Sequence, residues 1–273
     1  MASKFMQFML GILLIYGLFC AVLYFGQRSM IYVPDKNKPA AVDNIEWVRV
    51  NTADGQKIES WYIKPSKKGM PVIVLFHGNA GNFSHRIHKA VHFIRQGYGV
   101  LLAEYRGYGG NDGQPSEAGF YQDGRAQIEW LLNEKKFSAN DLVLYGESIG
   151  SATAVEMATQ YSVKALILET PFSSLYSVAS KRYYFIPVKW LLKDRFMNSE
   201  KIHKVKMPLL ILHGHRDLVI PFEEAKSLFS LANEPKEFID FPEGNHNDLY
   251  LYGAAQQVLD FMARNIHLNT DNK

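Results

Sequence analysis

Hydrophobic and polar positions divide this chain into two unlike parts. Residues 5–26 read FMQFMLGILLIYGLFCAVLYFG, apolar on every face, with Gln7 as the one strongly polar side chain and no charge. At a rise of about 1.5 Å per residue, some 20 helical residues cross a hydrocarbon core of roughly 30 Å, so this stretch predicts a single membrane-spanning helix. Lys4 and Arg28 bracket it, and Tyr24 and Phe25 suit the headgroup layer. A cleaved secretory signal would have a shorter apolar core and small residues before the cut, and no A-x-A pattern is present. A lipoprotein signal ending at Cys20 would need a small residue where Phe19 stands. A buried N-terminal helix is a poor reading of a segment with no polar face, because the rest of the chain already supplies a complete domain. Residues 1–28 are therefore read as a retained anchor, which makes this a single-pass membrane protein. Basic residues flank both ends, so the positive-inside rule does not assign the side that carries the domain.

After a polar linker, residues 29–44, short apolar runs alternate with longer amphipathic stretches. Strands are expected at 45–50 and 58–63, a hairpin around Asp54-Gly55, and at 71–76, 99–104, 141–145, 165–168, 209–212 and 237–241. Helices are expected at 84–95, 120–134, 149–160, 222–231 and 249–265. This alternation predicts an α/β domain over 45–267: a mostly parallel eight-stranded sheet with helices on both faces, made mixed by the first hairpin. Residues 172–205 are too long for an ordinary connection, rich in aromatics and interrupted by Pro187. They predict two short helices forming a small cap. Residues 268–273 are a polar tail.

Composition narrows the function classes. The chain has 273 residues, 47% hydrophobic and 21% charged, the balance of a folded protein. Thirty basic against 27 acidic residues give +3, too small and scattered an excess for nucleic acid. One cysteine excludes an intrachain disulfide and a cysteine-rich metal cluster. His85, His88 and His92 share a helical face, but no H-E-x-x-H accompanies them. The glycine-rich 105–119 loop lacks the spacing of a phosphate or dinucleotide loop, and its Tyr105 and Tyr108 either line a pocket or pack. No metal, cofactor or obligate protein partner is implied.

The chemistry concentrates at Gly146-Glu147-Ser148-Ile149-Gly150, a G-x-S-x-G between an expected strand and an expected helix. A serine on such a turn projects above the sheet, whereas a structural serine there would only cap the helix. A serine hydroxyl needs a base, and the base needs an orienting acid. Asp217 is the one carboxylate in the loop after strand 209–212, and as a helix cap it stands too far before Pro221. His246 is the one histidine between the last strand and the last helix, with His267 on the wrong element. Asp248 reads as the cap of that helix and His213 as structural. The oxyanion formed by attack requires preset N–H donors, expected from the backbones of Ile149 and Asn79, with the Asn79 side chain mattering less. Asn82-Phe83-Ser84 matches a glycosylation sequon, but it lies beside this loop.

The blocks HGNAGN at 77–82, YRGYG at 105–109, PSE at 115–117, GESIG at 146–150 and NHNDL at 245–249, in this order, resemble the Bem46-like branch of the α/β-hydrolase superfamily. The resemblance runs from about residue 30 to 265, and the apolar N-terminus also resembles that group of membrane-anchored serine hydrolases. It implies the α/β-hydrolase fold and cleavage of a carboxylic ester or acyl thioester through an acyl-enzyme, with a lipid-like or apolar acyl substrate. Similar proteins include depalmitoylases, whose cysteine-rich N-terminus is replaced here by an apolar span, and others catalogued as lipases or serine-aminopeptidase-like hydrolases. Two alternatives stand beside this reading. One is an aminopeptidase or amidase, with Glu147 or Glu169 receiving a substrate amine. The other is a silent membrane-tethered binding protein, against which all three triad residues are present. The apolar cap residues, among them Leu175, Tyr183, Tyr184, Phe185, Ile186, Trp190, Leu191 and Leu192, either hold an acyl chain or form the cap's own core.

Overall fold

A computed structural model describes residues 2–266; the polar tail expected at 268–273, and His267, lie outside the described residues. The chain opens with α1 (Ala2–Ile31), a helix of 30 residues whose apolar stretch is not buried in the protein. At about 1.5 Å per residue it is longer than the thickness of a bilayer core. It runs past the expected anchor because Ser29, Met30 and Ile31 continue the helical turn, after which Tyr32 is buried against Phe120, with ring centroids 5.4 Å apart. Val33–Pro34 then pairs in parallel with Ala80–Gly81, joining the linker to the 77–82 loop.

The domain follows in chain order. β1 (Glu46–Asn51) and β2 (Lys57–Ile63) form the expected hairpin. Next come β3 (Val72–Phe76), α2 (Ile87–Ile94), β4 (Gly99–Ala103) and α3 (Glu117–Asn133). They are followed by β5 (Leu142–Glu147), α4 (Gly150–Gln160), β6 (Ala165–Glu169), and two short helices, α5 (Leu175–Arg182) and α6 (Val188–Leu191). The chain closes with β7 (Leu209–Gly214), α7 (Phe222–Leu231), β8 (Lys236–Phe241) and α8 (Ala254–Asn265). Among the described residues, eight strands form one sheet in the order β8-β7-β6-β5-β3-β4-β2-β1. β2 runs antiparallel to its neighbours β1 and β4, and the remaining neighbours are parallel.

Strand periodicity divides the core into two layers. In β3, Val72, Val74 and Phe76 pack on one face with Phe120 and Leu131 of α3 and Val155 of α4. Ile73 and Leu75 pack on the other with Phe93 of α2 and Phe261 of α8. Every residue of β3 is buried, so a continuous apolar run is what this central strand requires. Each such side chain contributes about 1.5–3 kcal/mol on burial.

The chain leaves β3 toward β4 on one side, then crosses to β5 on the other. The loops after β3 and β5 therefore diverge at the carboxyl edge of the sheet, where α/β sheets hold their ligands. Three helices of the domain differ from expectation. The helix expected at 84–95 opens as a 3-10 turn, Phe83–Arg86, before α2 begins at Ile87. α3 starts earlier because the Ser116 hydroxyl caps it, accepting from the Gly119 N–H at 3.0 Å. The helix expected over 249–265 is split by Gly253, in the left-handed region at φ 91°, into a 3-10 turn Leu249–Tyr252 and α8.

Candidate active site

Ser148 occupies the turn between β5 and α4 with φ 52°, a left-handed conformation that costs a non-glycine residue about 1–2 kcal/mol. The surrounding backbone holds it there. Its N–H donates to the Glu169 carbonyl at 2.9 Å, and its carbonyl accepts from the Ser151 N–H at 3.0 Å. The two motif glycines allow the close packing. A Cβ on Gly146 would lie 2.5 Å from the Ser151 Cα, and one on Gly150 would lie 2.2 Å from the Phe76 carbonyl oxygen. The Ser148 hydroxyl does not cap α4; it lies 3.0 Å from His246 Nε2.

His246 follows β8, and its Nδ1 lies 2.7 Å from Asp217 Oδ2. With Nδ1–H donated to that carboxylate, Nε2 presents its lone pair to the Ser148 hydroxyl. Ser148, His246 and Asp217 are each less than a tenth exposed. Asp217 sits in the turn after β7, where Oδ1 accepts the Val219 and Ile220 N–H groups, both at 2.8 Å. Its Oδ2 also lies 3.2 Å from His213 Nε2. Burial pushes this carboxyl upward, but the hydrogen bonds from His213, His246 and Ile220 outweigh it and hold Asp217 well below the ordinary carboxylate range. His213 is thus a partner of the Asp217 carboxylate, a contact not visible in sequence. Asp248 is not the helix cap expected of it. Its Oδ1 accepts from the Asn245 N–H at 2.6 Å, and the Asn245 side chain accepts from the His246 N–H at 2.8 Å, so both residues shape the histidine loop.

The 77–82 loop presses against this turn. A Cβ on Gly78 would lie 3.4 Å from the Ser148 Cβ and 2.8 Å from Glu147 Oε1. Asn79 and Ile149 line one cavity with Ser148 and His246. The Asn79 side chain does more than was expected of it. Its Nδ2 donates to the Ile31 carbonyl at 2.5 Å, and its Oδ1 accepts from the Val33 N–H at 3.1 Å and the Tyr108 hydroxyl at 2.9 Å. The loop is thereby tied to the end of α1. Tyr105 and Tyr108 are fully buried braces: the Tyr105 ring stacks on Phe120 at 3.8 Å, and its hydroxyl donates to the His77 carbonyl at 3.3 Å. His77 itself is buried, with Nε2 2.5 Å from Glu104 Oε1. Asn82 is buried and hydrogen-bonded to Asp35 and to the Ser84 N–H, which leaves the sequon closed in the folded protein. His88 and His92 pack on the Tyr250 ring, and His85 lies 3.7 Å from Asp35.

Sequence reasoning missed the ionic layer behind Ser148. Lys89 of α2 is buried, with Nζ 2.8 Å from Glu147 Oε2 and 2.8–2.9 Å from both Glu169 oxygens. Arg86 donates to both Glu147 oxygens, at 2.7 and 3.3 Å. Burial opposes the charge on Lys89, yet Glu147 and Glu169 hold the ammonium above its ordinary range. Burial likewise opposes the Glu147 charge, and Lys89 with Arg86 overcome it, holding this carboxyl below its ordinary range. Two cations match two carboxylates. A lysine on the inward face of an amphipathic helix was the available signal.

The cavity above Ser148 encloses about 450 Å³ and is largely apolar, with Phe172, Leu175, Tyr183, Leu192 and Ile220 among its walls. Glu147 is the one carboxylate lining it among the described residues. The cap fits neither expectation whole: Leu175, Tyr183 and Leu192 face the cavity, Tyr184 and Trp190 are exposed, and Val188 is buried.

A family model described as serine aminopeptidase, S33, matches residues 67–196. An uncharacterised protein of Mycobacterium tuberculosis is 37% identical over 227 residues, an alignment covering 81% of each chain. The Schizosaccharomyces pombe protein bem46 is 32% identical over 265 residues, covering 89% of this chain and 88% of that one. The structure of a Pyrococcus furiosus esterase matches with a TM-score of 0.69 over 86% of this chain and 97% of that one. At 18% identity, that last likeness shows the fold alone.

Proposed function

Because the chain belongs to the Bem46-like branch of the α/β hydrolases, we propose that it is a membrane-anchored serine hydrolase that cleaves a carboxylic ester or acyl thioester with an apolar acyl group. The observation that carries this reading is the unbroken chain from Asp217 through His246 to Ser148, with contacts of 2.7 and 3.0 Å. His246 Nε2 takes the hydroxyl proton as Ser148 Oγ attacks the carbonyl carbon. Asp217 keeps the imidazole in the required tautomer and stabilises its charged form. The N–H groups of Asn79 and Ile149 receive the oxyanion, each such donor being worth about 3 kcal/mol in the transition state. His246 then protonates the departing alcohol or thiol. Water, deprotonated by His246, attacks the acyl-enzyme, and the acid leaves with Ser148 restored.

The peptidase reading needs an acidic receptor for the substrate amine. Both carboxylates proposed for it, Glu147 and Glu169, are already engaged by Lys89, and Glu147 also by Arg86. The cavity is largely apolar, and its one lining carboxylate among the described residues, Glu147, is already ion-paired, which leaves no receptor for a substrate amine. The test is a panel of short acyl esters, longer acyl esters, palmitoyl thioesters and aminoacyl amides, with the protein held in nanodiscs. Esters and thioesters are expected to turn over well above the amides, and long chains at least as fast as short ones. Faster amide turnover would contradict the ester reading. Rates that fall steadily as the acyl chain lengthens from two to eight carbons would contradict the apolar-acyl part.

A further inference from the structure

We propose that the acyl chain of the substrate lies in a groove between α1 and the cap, so that lipid-borne substrates reach Ser148 sideways out of the bilayer. This rests on the hydrolase reading above and specifies its substrate as an acyl chain presented by a membrane. The groove encloses about 360 Å³ between one face of α1 and the helices α5 and α6 with the turn joining them. Its walls include Phe19, Leu23 and Met30 on one side and Ile186, Val188 and Leu191 on the other. It adjoins the cavity above Ser148, since Met30, Ile31, Ala179, Tyr183 and Leu192 line both.

Its position on the helix fits an acyl tail. Phe19, Leu23, Gln27, Met30 and Ile31 fall on one helical face, and from Phe19 to Ile31 that face spans about 18 Å. The Gln27 amide offers nothing to a ligand. It donates to the Tyr24 and Leu191 carbonyls, both at 2.9 Å, and accepts from the Lys193 N–H at 2.8 Å. The gap is braced at both ends. The Tyr16 hydroxyl donates to the Phe185 carbonyl at 2.8 Å, and Arg28 pairs with Asp194 at 2.8 Å. The rim has the character of a headgroup layer. Tyr184 and Trp190 are exposed, and Lys193 lies 4.0 Å from the centre of the Tyr24 ring. Residues 172–205 hold seven Lys and Arg against two Asp and Glu, a net +5 that exceeds the +3 of the whole chain. A tail sliding along α1 from hydrocarbon into this groove would bring its carbonyl toward Ser148 without crossing water.

The test compares kcat/KM for palmitoyl and acetyl thioesters in nanodiscs. Leu23→Trp and Ile186→Trp fill the groove and are expected to lower the palmitoyl-to-acetyl ratio at least tenfold. Leu14→Trp, on the exposed opposite face of α1, is expected to leave the ratio unchanged. An unchanged ratio in both groove variants overturns the proposal. A second measurement needs no turnover. In the Ser148→Ala protein, a palmitoyl thioester with a terminal diazirine is expected to cross-link to residues 19–31 and 183–192. Cross-links confined to lipid-facing positions such as Leu14 and Leu18 overturn the groove, whether or not Ser148 is the nucleophile. Cross-linking by a diazirine phosphatidylcholine but not by the thioester assigns the groove to bulk lipid and overturns it equally.

Discussion

Lys89 and Glu147 meet at 2.8 Å in the layer directly behind the Ser148 turn. Glu169 shares the same ammonium and receives the Tyr145 hydroxyl at 2.6 Å, while the Tyr250 ring lies 5.0 Å from Lys89 Nζ. One buried cation thus connects β5, β6 and the turn that follows the histidine loop. Removing one partner of such a group leaves charge buried and unmatched, so Glu147→Gln is expected to destabilise the fold by about 3 kcal/mol.

That loss has a pH dependence of fixed sign. Glu147 is held below its ordinary range in the folded protein, so it binds its proton more weakly there than in the unfolded chain. Its stabilising contribution is therefore complete above the unfolded value of about 4.3 and is lost as the pH falls from there toward the folded value. The difference in melting temperature between the wild type and Glu147→Gln is expected to be constant near neutrality and to shrink below about pH 4. A difference that stays constant into acid would contradict the role given to the carboxylate.

His213 meets the same carboxylate oxygen of the proposed triad acid, Asp217 Oδ2, as His246 does, and it is fully buried. His213→Phe removes a hydrogen bond to a charged group, worth about 1.5 kcal/mol. Steady-state kinetics are expected to show kcat down roughly tenfold with KM little changed. His213→Gln, which keeps a donor, is expected to recover part of the loss; equal losses in both variants would point to packing alone.

Two glycines separate steric from conformational demands. Gly150→Ala places a Cβ 2.2 Å from the Phe76 carbonyl oxygen, backbone that cannot step aside. Gly253 at φ 91° has open space around it, so Gly253→Ala meets strain alone, about 1 kcal/mol. Denaturant unfolding is expected to show the Gly150 variant losing more than 3 kcal/mol or failing to fold, and the Gly253 variant losing about 1 kcal/mol.

Asn79→Ala keeps the backbone N–H but releases Ile31, Val33 and Tyr108. The loop then loses its tie to α1, and kcat/KM on a short ester is expected to fall roughly tenfold, a loss of about 1.4 kcal/mol. Unchanged kinetics would show that the backbone alone positions the proposed oxyanion donor.

The parts of this molecule written in local pattern were legible in the sequence. Val72–Phe76 is apolar throughout because both its faces are covered, and GESIG announces itself by glycines at the two points of closest backbone approach. The parts set by distant partners were not. Nothing in the residues near Lys89 says that Glu147 and Glu169 will meet it, 58 and 80 positions away. The two-residue pairing of Val33–Pro34 with Ala80–Gly81 is too short to carry a period. Asp248 precedes a helical stretch as a cap would, yet a tight turn gives its carboxylate to Asn245 instead. Gly253 was a readable signal for the break in the last helix.

The most direct measurement is labelling of the nanodisc-held protein by a fluorophosphonate probe, with mass spectrometry of the modified peptide. The wild type is expected to carry a single modification at Ser148, and the folded Ser148→Ala protein none. Undiminished labelling of that folded variant would contradict Ser148 as the nucleophile.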